Sequence, residues 1–266
     1  MKKQTLTDIS SLLLVATACA LGATAQATVV DLTGTNNSGA ANGAQFDWAA
    51  TQPTGTGVID PFLRVQADSN EQGYNTSGGT PFDEKAGIWT HDIRFSDLQS
   101  TAVTIDGTQY FQLLLDVNEP GGNKSLLSLD QLQFYTSPVG SKTTTDLAAL
   151  GTLRWSLDGA GDSYVLLDAS RNSGSGSGDM YAYIPASSFA GVASSDYVYM
   201  FTRFGDQVAA DGTTEGGFEE WSLVKTVSPV PEMSALLPIV GLIAAVGSTH
   251  LLRRRQFALA KKSLEA

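Results

Sequence analysis

Asp196-Tyr197-Val198-Tyr199-Met200-Phe201-Thr202-Arg203-Phe204 is the stretch whose reading decides the fold. Successive side chains of a strand point to opposite faces, so Tyr197, Tyr199 and Phe201 fall on one side and Val198, Met200 and Phe204 on the other. An aromatic and β-branched run of this kind has little to gain from a helix and much from a half-buried sheet. The same character recurs at 57–60, 88–95, 103–105, 109–117, 126–136, 153–157, 164–168, 180–184 and 218–226, each run bounded by Gly, Asn, Asp or Ser. In the last of these, Trp221 and Leu223 form the expected inward pair. Residues 186–189 are expected to make a single helical turn, and 33–57 and 66–87, rich in Gly, Thr, Asn, Ser and Gln, are expected to be long loops. About ten short strands with turn-rich links predict an all-β fold, a β-sandwich or jelly roll.

The chemistry available to these strands is narrow. Cys19 is the single cysteine and lies in the N-terminal segment, so the region after it has no thiolate nucleophile, disulfide or zinc–thiolate site. His91 stands beside Asp92, but neighbours along a strand face opposite ways and adjacency builds no catalytic dyad. Glycoside cleavage needs two carboxyl groups at a set separation, for which Asp116, Glu119, Glu219 and Glu220 are candidates. Acidic residues at strand ends are more often simply solvated, and the expectation is that the protein is not an enzyme.

Calcium is a separate expectation. Asp168, Ser170 and Asn172 occupy alternate positions, and Asp179 takes the twelfth place of a loop that starts at Asp168. That spacing places several oxygens around a hard cation. An Asp-Asn-Gly turn explains the same residues without metal. Asp116-Val117-Asn118-Glu119-Pro120-Gly121 begins in the same manner but carries Leu127 at the last ligand place. The glycine-rich 172–179 segment has neither the lysine nor the strand-to-helix setting of a phosphate-binding loop.

Charge limits the partners. Residues 28 to 231 hold 9 Lys and Arg against 24 Asp and Glu, a net of −15. Such a surface disfavours nucleic acid and anionic lipid, and accommodates divalent cations.

Both ends of the chain carry addresses. Lys2 and Lys3 precede an apolar stretch from Ile9 to Leu21, and Ala25-Gln26-Ala27 supplies small residues for signal peptidase, which predicts a signal peptide over residues 1–27. A lipoprotein signal ending at Cys19 is the competing reading, but Ala16-Thr17-Ala18 lacks the usual leucine. At the other end the 20 residues from Met233 to Leu252 carry no charge. As a helix they reach about 30 Å, the thickness of a bilayer's hydrocarbon core. Arg253, Arg254 and Arg255 then hold the C-terminal side in the cytoplasm, with the preceding domain outside.

Val230-Pro231-Glu232-Met233, the apolar span 234–252 and the arginine cluster 253–255 together resemble the PEP-CTERM sorting signal of exopolysaccharide-producing Gram-negative bacteria. Met233 replaces that family's second proline, and residues 256–266 make a longer cytoplasmic tail than most. The segments 111–118, 127–131, 166–180 and 217–221 also resemble PEP-CTERM proteins of unassigned function. The resemblance implies that an exosortase-type membrane protease recognises Val230, Pro231 and Glu232 and releases the protein to the cell surface or matrix. The expected organisation is therefore a signal peptide, a β-sandwich ectodomain over 28–229, the sorting signal over 230–255 and the tail. A structural or adhesive role in exopolysaccharide or biofilm follows, with a calcium-dependent carbohydrate-binding module and a glycan-cleaving enzyme as alternatives. Trp48, Tyr74 and Trp89 are the aromatics proposed to stack on sugar rings, with core packing as the competing reading. Asn36, Asn75 and Asn123 begin Asn-X-Ser triplets, which in a bacterial chain are expected to be coincidental.

Overall fold

The computed structural model describes residues 27–50, 59–120, 124–172, 178–208 and 212–224. In chain order the strands are β1 (Val29–Asp31), β2 (Ser38–Ala41), β3 (Ala44–Trp48), β4 (Ile59–Val65), β5 (Asp68–Ser69), β6 (Glu71–Tyr74), β7 (Ile93–Arg94) and β8 (Ala102–Ile105). They continue as β9 (Thr108–Val117), β10 (Leu126–Ser137), β11 (Thr152–Ser156), β12 (Tyr164–Asp168), β13 (Met180–Pro185), β14 (Tyr197–Phe204), β15 (Thr214–Glu215) and β16 (Glu219–Val224). A short helix α1 (Phe95–Gln99) and the expected turn at Ala186–Phe189 complete the main elements.

The strands form two seven-stranded sheets and one two-stranded ribbon. The first sheet runs β1-β12-β10-β14-β6, with β11 also on β10 and β7 also on β14; the second runs β2-β3-β13-β9-β16-β4, with β8 also on β9. The ribbon pairs β5 with β15. The expected all-β, sandwich-like architecture is what forms. The inner faces meet in one core that contains Phe46, Phe62, Phe134, Phe204, Trp221 and Leu223, all fully buried. Burial of such side chains is the dominant favourable contribution to this fold.

The alternation in β14 is realised. Val198, Met200 and Phe204 enter the main core, whereas Tyr199 and Phe201 point out of the sandwich. The outward face is nonetheless covered. Tyr74, Tyr135, Leu150, Tyr199 and Phe201 form a second cluster, which the segment between β10 and β11 ties down. Tyr199 donates its hydroxyl to the Val139 carbonyl at 2.9 Å, and Tyr74 donates to that of Thr144 at 3.0 Å.

β14 shares its far edge between two partners, since Phe201 to Phe204 pair with β6 while Tyr197 and Val198 pair with β7. Asn75 completes the ladder at the junction. Its Oδ1 accepts from the Met200 amide at 2.6 Å and its Nδ2 donates to the Val198 carbonyl at 2.8 Å. Asn75 is fully buried, so this triplet serves the sheet and offers no acceptor for a glycan.

Three local expectations are corrected. The segments 33–57 and 66–87, expected to be loops, contain β2, β3, β5 and β6. β2 and β3 are joined by Asn42-Gly43 with φ of 45° and 78°, a left-handed pair that matches the twist of a two-residue hairpin. Asp106-Gly107 joins β8 to β9 in the same way, with φ of 48° and 80°. Strand structure in 88–95 shrinks to Ile93–Arg94, because Asp97 accepts from the Arg94 amide at 2.8 Å and starts α1 at Phe95.

Among the described residues no helix is long and apolar enough to cross a membrane. The signal peptide, the sorting motif Val230-Pro231-Glu232, the span 234–252 and Arg253, Arg254 and Arg255 lie outside the described residues.

Candidate functional site

Asp168, Ser170, Asn172 and Asp179 gather at the base of the β12–β13 connection, whose residues 173–177 lie outside the described set. Asp168 Oδ1 accepts from the Ser170 amide at 3.0 Å and from its hydroxyl at 2.6 Å, while Oδ2 lies 3.0 Å from Arg171 Nε. Partial burial pushes its pKa up, but the hydrogen bonds from Ser170 and Ser125 and the Arg171 charge outweigh this and hold it below the usual value. Asn172 Nδ2 donates to the carbonyls of Ala49 and Gly178, at 3.1 and 2.8 Å, and so closes the loop. Asp179 Oδ2 accepts from the Val117 amide at 2.8 Å, and its buried Oδ1 has no partner among the described residues. Burial, helped by Asp116 and Asp168, pushes Asp179 up to about 8. Among the described residues no three His, Cys, Asp or Glu side chains are arranged to hold a metal ion.

The four carboxylates considered for glycoside cleavage separate into two settings. Glu220 faces outward and is paired with Arg64, whose Nε donates to Oε2 at 2.8 Å. The Arg64 guanidinium also lies 4.4 Å from the Trp89 ring centroid and 4.3 Å from that of Phe218. Glu219 instead enters the core beside Trp221 and is fully buried. After burial itself, Glu71 raises the pKa of Glu219 further, and Glu119 and Asp116 add to this. With no exposed surface, Glu219 has no route to a sugar chain. His91 and Asp92 make no dyad: His91 Nδ1 lies 3.3 Å from the Ile88 carbonyl, and Asp92 accepts from the amides of Ser77 and Ser141 at 3.1 and 2.8 Å.

An aromatic groove lies on the outer face of the second sheet. Tyr181 pairs with Asp47 on β3 and Leu114 on β9, and Tyr183 pairs with Gln45 and Gln112, so these residues share one face. The two tyrosine rings are 6.1 Å apart at 36°. With Asp47, Trp48, Ala50 and Gln112 they line a groove of about 380 Å³. Burial pushes Tyr183 up to about 12 and raises Asp47 above the ordinary carboxylate value. Apolar ring area, a carboxyl and an amide in one groove suit a ligand that is polar at its edge and apolar on its face.

Of the three aromatics singled out from the sequence, only Trp48 lines this groove. Tyr74 is fully buried, and Trp89 is 38% exposed but stacked with Arg64. Tyr181 and Tyr183 were absent from that reading, although their alternation with the inward Ala182 and Ile184 already placed them on one face.

The fold and these surfaces define a class: an all-β, sandwich-like protein with a partly aromatic groove on one sheet. Comparison with protein-family models, curated proteins and solved structures gives no match to this chain.

Proposed function

We propose that the chain is exported by its N-terminal signal and delivered to the cell surface or extracellular matrix by its PEP-CTERM-like tail, where the sandwich serves as a structural or adhesive element of exopolysaccharide. The observation that carries this reading is the succession in the sequence of Pro231-Glu232, an uncharged span and Arg253-Arg254-Arg255, together with the signal-like stretch of residues 1–27. Signal peptidase and an exosortase-type protease are the processing partners. Mass spectrometry of surface-exposed protein tests it: a C-terminus near Glu232 is expected, and an intact 234–255 segment on surface protein would refute the sorting step.

A carbohydrate-binding version of the same role is favoured by one specific feature, the Tyr181–Tyr183 groove with Asp47 and Gln112 at hand. Sugar rings present an apolar face to aromatics and hydroxyls to carboxyl and amide groups. In a pull-down of the full chain on the producing cell's exopolysaccharide, Tyr183→Ala is expected to weaken retention about tenfold, the equivalent of about 1.4 kcal/mol. Equal retention by wild type and variant would remove the groove from the proposal. Repeating the pull-down with calcium and with chelator tests the calcium version, for which Asp168, Ser170, Asn172 and Asp179 would supply the ligands; chelator is then expected to abolish retention, and Asp179→Asn to mimic chelator.

A further inference from the structure

Two carboxyl groups meet between the sheets at the end of the sandwich that carries the β5–β15 ribbon. Glu71 pairs in register with Phe204 and shares its inward face; Glu219 shares the inward face of Trp221 on the opposing sheet. Glu71 is 1% exposed and Glu219 is 0% exposed, and their carboxyl groups lie close enough for each to shift the other's protonation. A third, Glu119, lies beside them after β9. Glu71 Oε2 accepts from the Ala67 amide at 2.7 Å, and Glu119 Oε2 accepts from the Glu215 amide at 2.9 Å. Those amides flank and form part of the ribbon, so this acidic group clasps both of its strands. Among the described residues, no donor reaches Glu71 Oε1, Glu119 Oε1 or either Glu219 oxygen.

The charges around the pair do not neutralise it. Asp83 and Lys85 follow β6, with Lys85 giving the weakest of the influences on Glu71. Asp116 shares the outer face of β9 with its partner Glu220 and adds only a distant like charge, and Glu84 bridges to Val65 while accepting from the amides of Tyr74 and Phe82. Arg64 on β4 is held by Glu220 on the outer face. Lys124 is half-exposed and bound to Glu215, with Asp68 and Glu119 also in its field. Two adjacent carboxylates buried without a counter-ion cannot both ionise, whereas one proton between them provides the missing donor.

We propose that Glu71 and Glu219 share a proton and form a pH-sensitive clasp that closes this end of the sandwich over the β5–β15 ribbon and releases it when the proton is lost. Burial is the main cause that raises both groups above the ordinary carboxylate value, and Glu119 is pushed up to about 7 by burial foremost. The folded protein therefore holds protons that the unfolded chain gives up. Stability from the clasp is fully present below the unfolded carboxyl value of about 4.5 and is lost as pH rises through the raised folded values.

The test is thermal unfolding of the full chain in detergent from about pH 5 to about pH 8, with hydrogen exchange read on peptides containing Ala67 and Glu215. Tm is expected to fall by about 5 °C or more across that range. The ribbon amides should open about tenfold beyond the intrinsic rise with pH. Glu219→Gln should flatten both profiles. Should that variant not fold, Glu71→Gln and the infrared band of a protonated carboxyl in wild type at about pH 7 give independent readings. Absence of that band, or profiles unchanged in both variants, would overturn the clasp. Calcium ions that raise Tm in wild type and not in the variants would also overturn it, by putting a cation where the proton is placed.

Discussion

Trp221→Ala is expected to lower the unfolding free energy by about 3–5 kcal/mol, the range found for emptying a large aromatic site in a packed core. Trp221 is fully buried and lies between Leu115 on β9 and Leu63 on β4, on the second sheet's inner face. β16 is held by ladders to β9 and β4, and β9 is paired again with β13, so the walls have little freedom to collapse into the space. Since a domain's whole margin is about 5–15 kcal/mol, the variant should be close to the edge of folding. Trp221→Phe makes a sharper comparison. The indole Nε1 is buried without a partner among the described residues, so the phenyl ring loses volume but also removes an unsatisfied donor. Its expected cost is under about half that of alanine. Urea titration, read as a shift in midpoint at constant slope, measures both; equal costs for the two would show that the indole nitrogen is satisfied in solution.

Asn75→Ala is the second large effect, and it works through hydrogen bonding rather than volume. The side chain bonds Val198 and Met200 where β6 gives way to β7, and both groups are buried. Removing it leaves one carbonyl and one amide without partners, at about 1–3 kcal/mol each. Asn75→Asp keeps the acceptor for Met200 but aims a carboxylate at the Val198 carbonyl, so it should fare no better than alanine. Hydrogen exchange at Met200 distinguishes this cause from general loosening: its amide should exchange about tenfold faster or more relative to central β10 amides in either variant. A cost below about 1 kcal/mol would mean that the edge of β14 rearranges to satisfy itself.

The signals that named the strands are local ones. Val198, Met200 and Phe204 alternate with Tyr199 and Phe201, and the period of two survives in the fold because each face found an apolar cover. β2, β3 and β6 escaped notice because Ser38-Gly39-Ala40-Ala41 and Glu71-Gln72-Gly73-Tyr74 are short and lack the β-branched pattern. Asn42-Gly43 was the missed clue, since this dipeptide between short runs calls for a hairpin. Residues 88–95 failed for the converse reason: an apolar run looked like a strand, yet the bond from the Arg94 amide to the Asp97 carboxylate redirected the chain into α1.

The candidate sites divide along the same line. Asp168, Ser170, Asn172 and Asp179 flank one loop, where Asp168 bonds Ser170 and Asn172 bonds backbone carbonyls. The inward position of Glu219 was legible, because it keeps the parity of Trp221 and Leu223. That Glu71 is its partner was not.

By itself the sequence determined the all-β class, most strand positions, the two faces of β14 and the acidic character of the domain, because periodicity, turn chemistry and charge are written in residues close along the chain. Tertiary structure alone decided that Asn75 completes the edge of β14, that Tyr181 and Tyr183 share a groove with Asp47 and Gln112, and that Glu71 meets Glu219 between the sheets. Each of these depends on which distant strands become neighbours, and that choice is made by the packing of both sheets together rather than by any local run of residues.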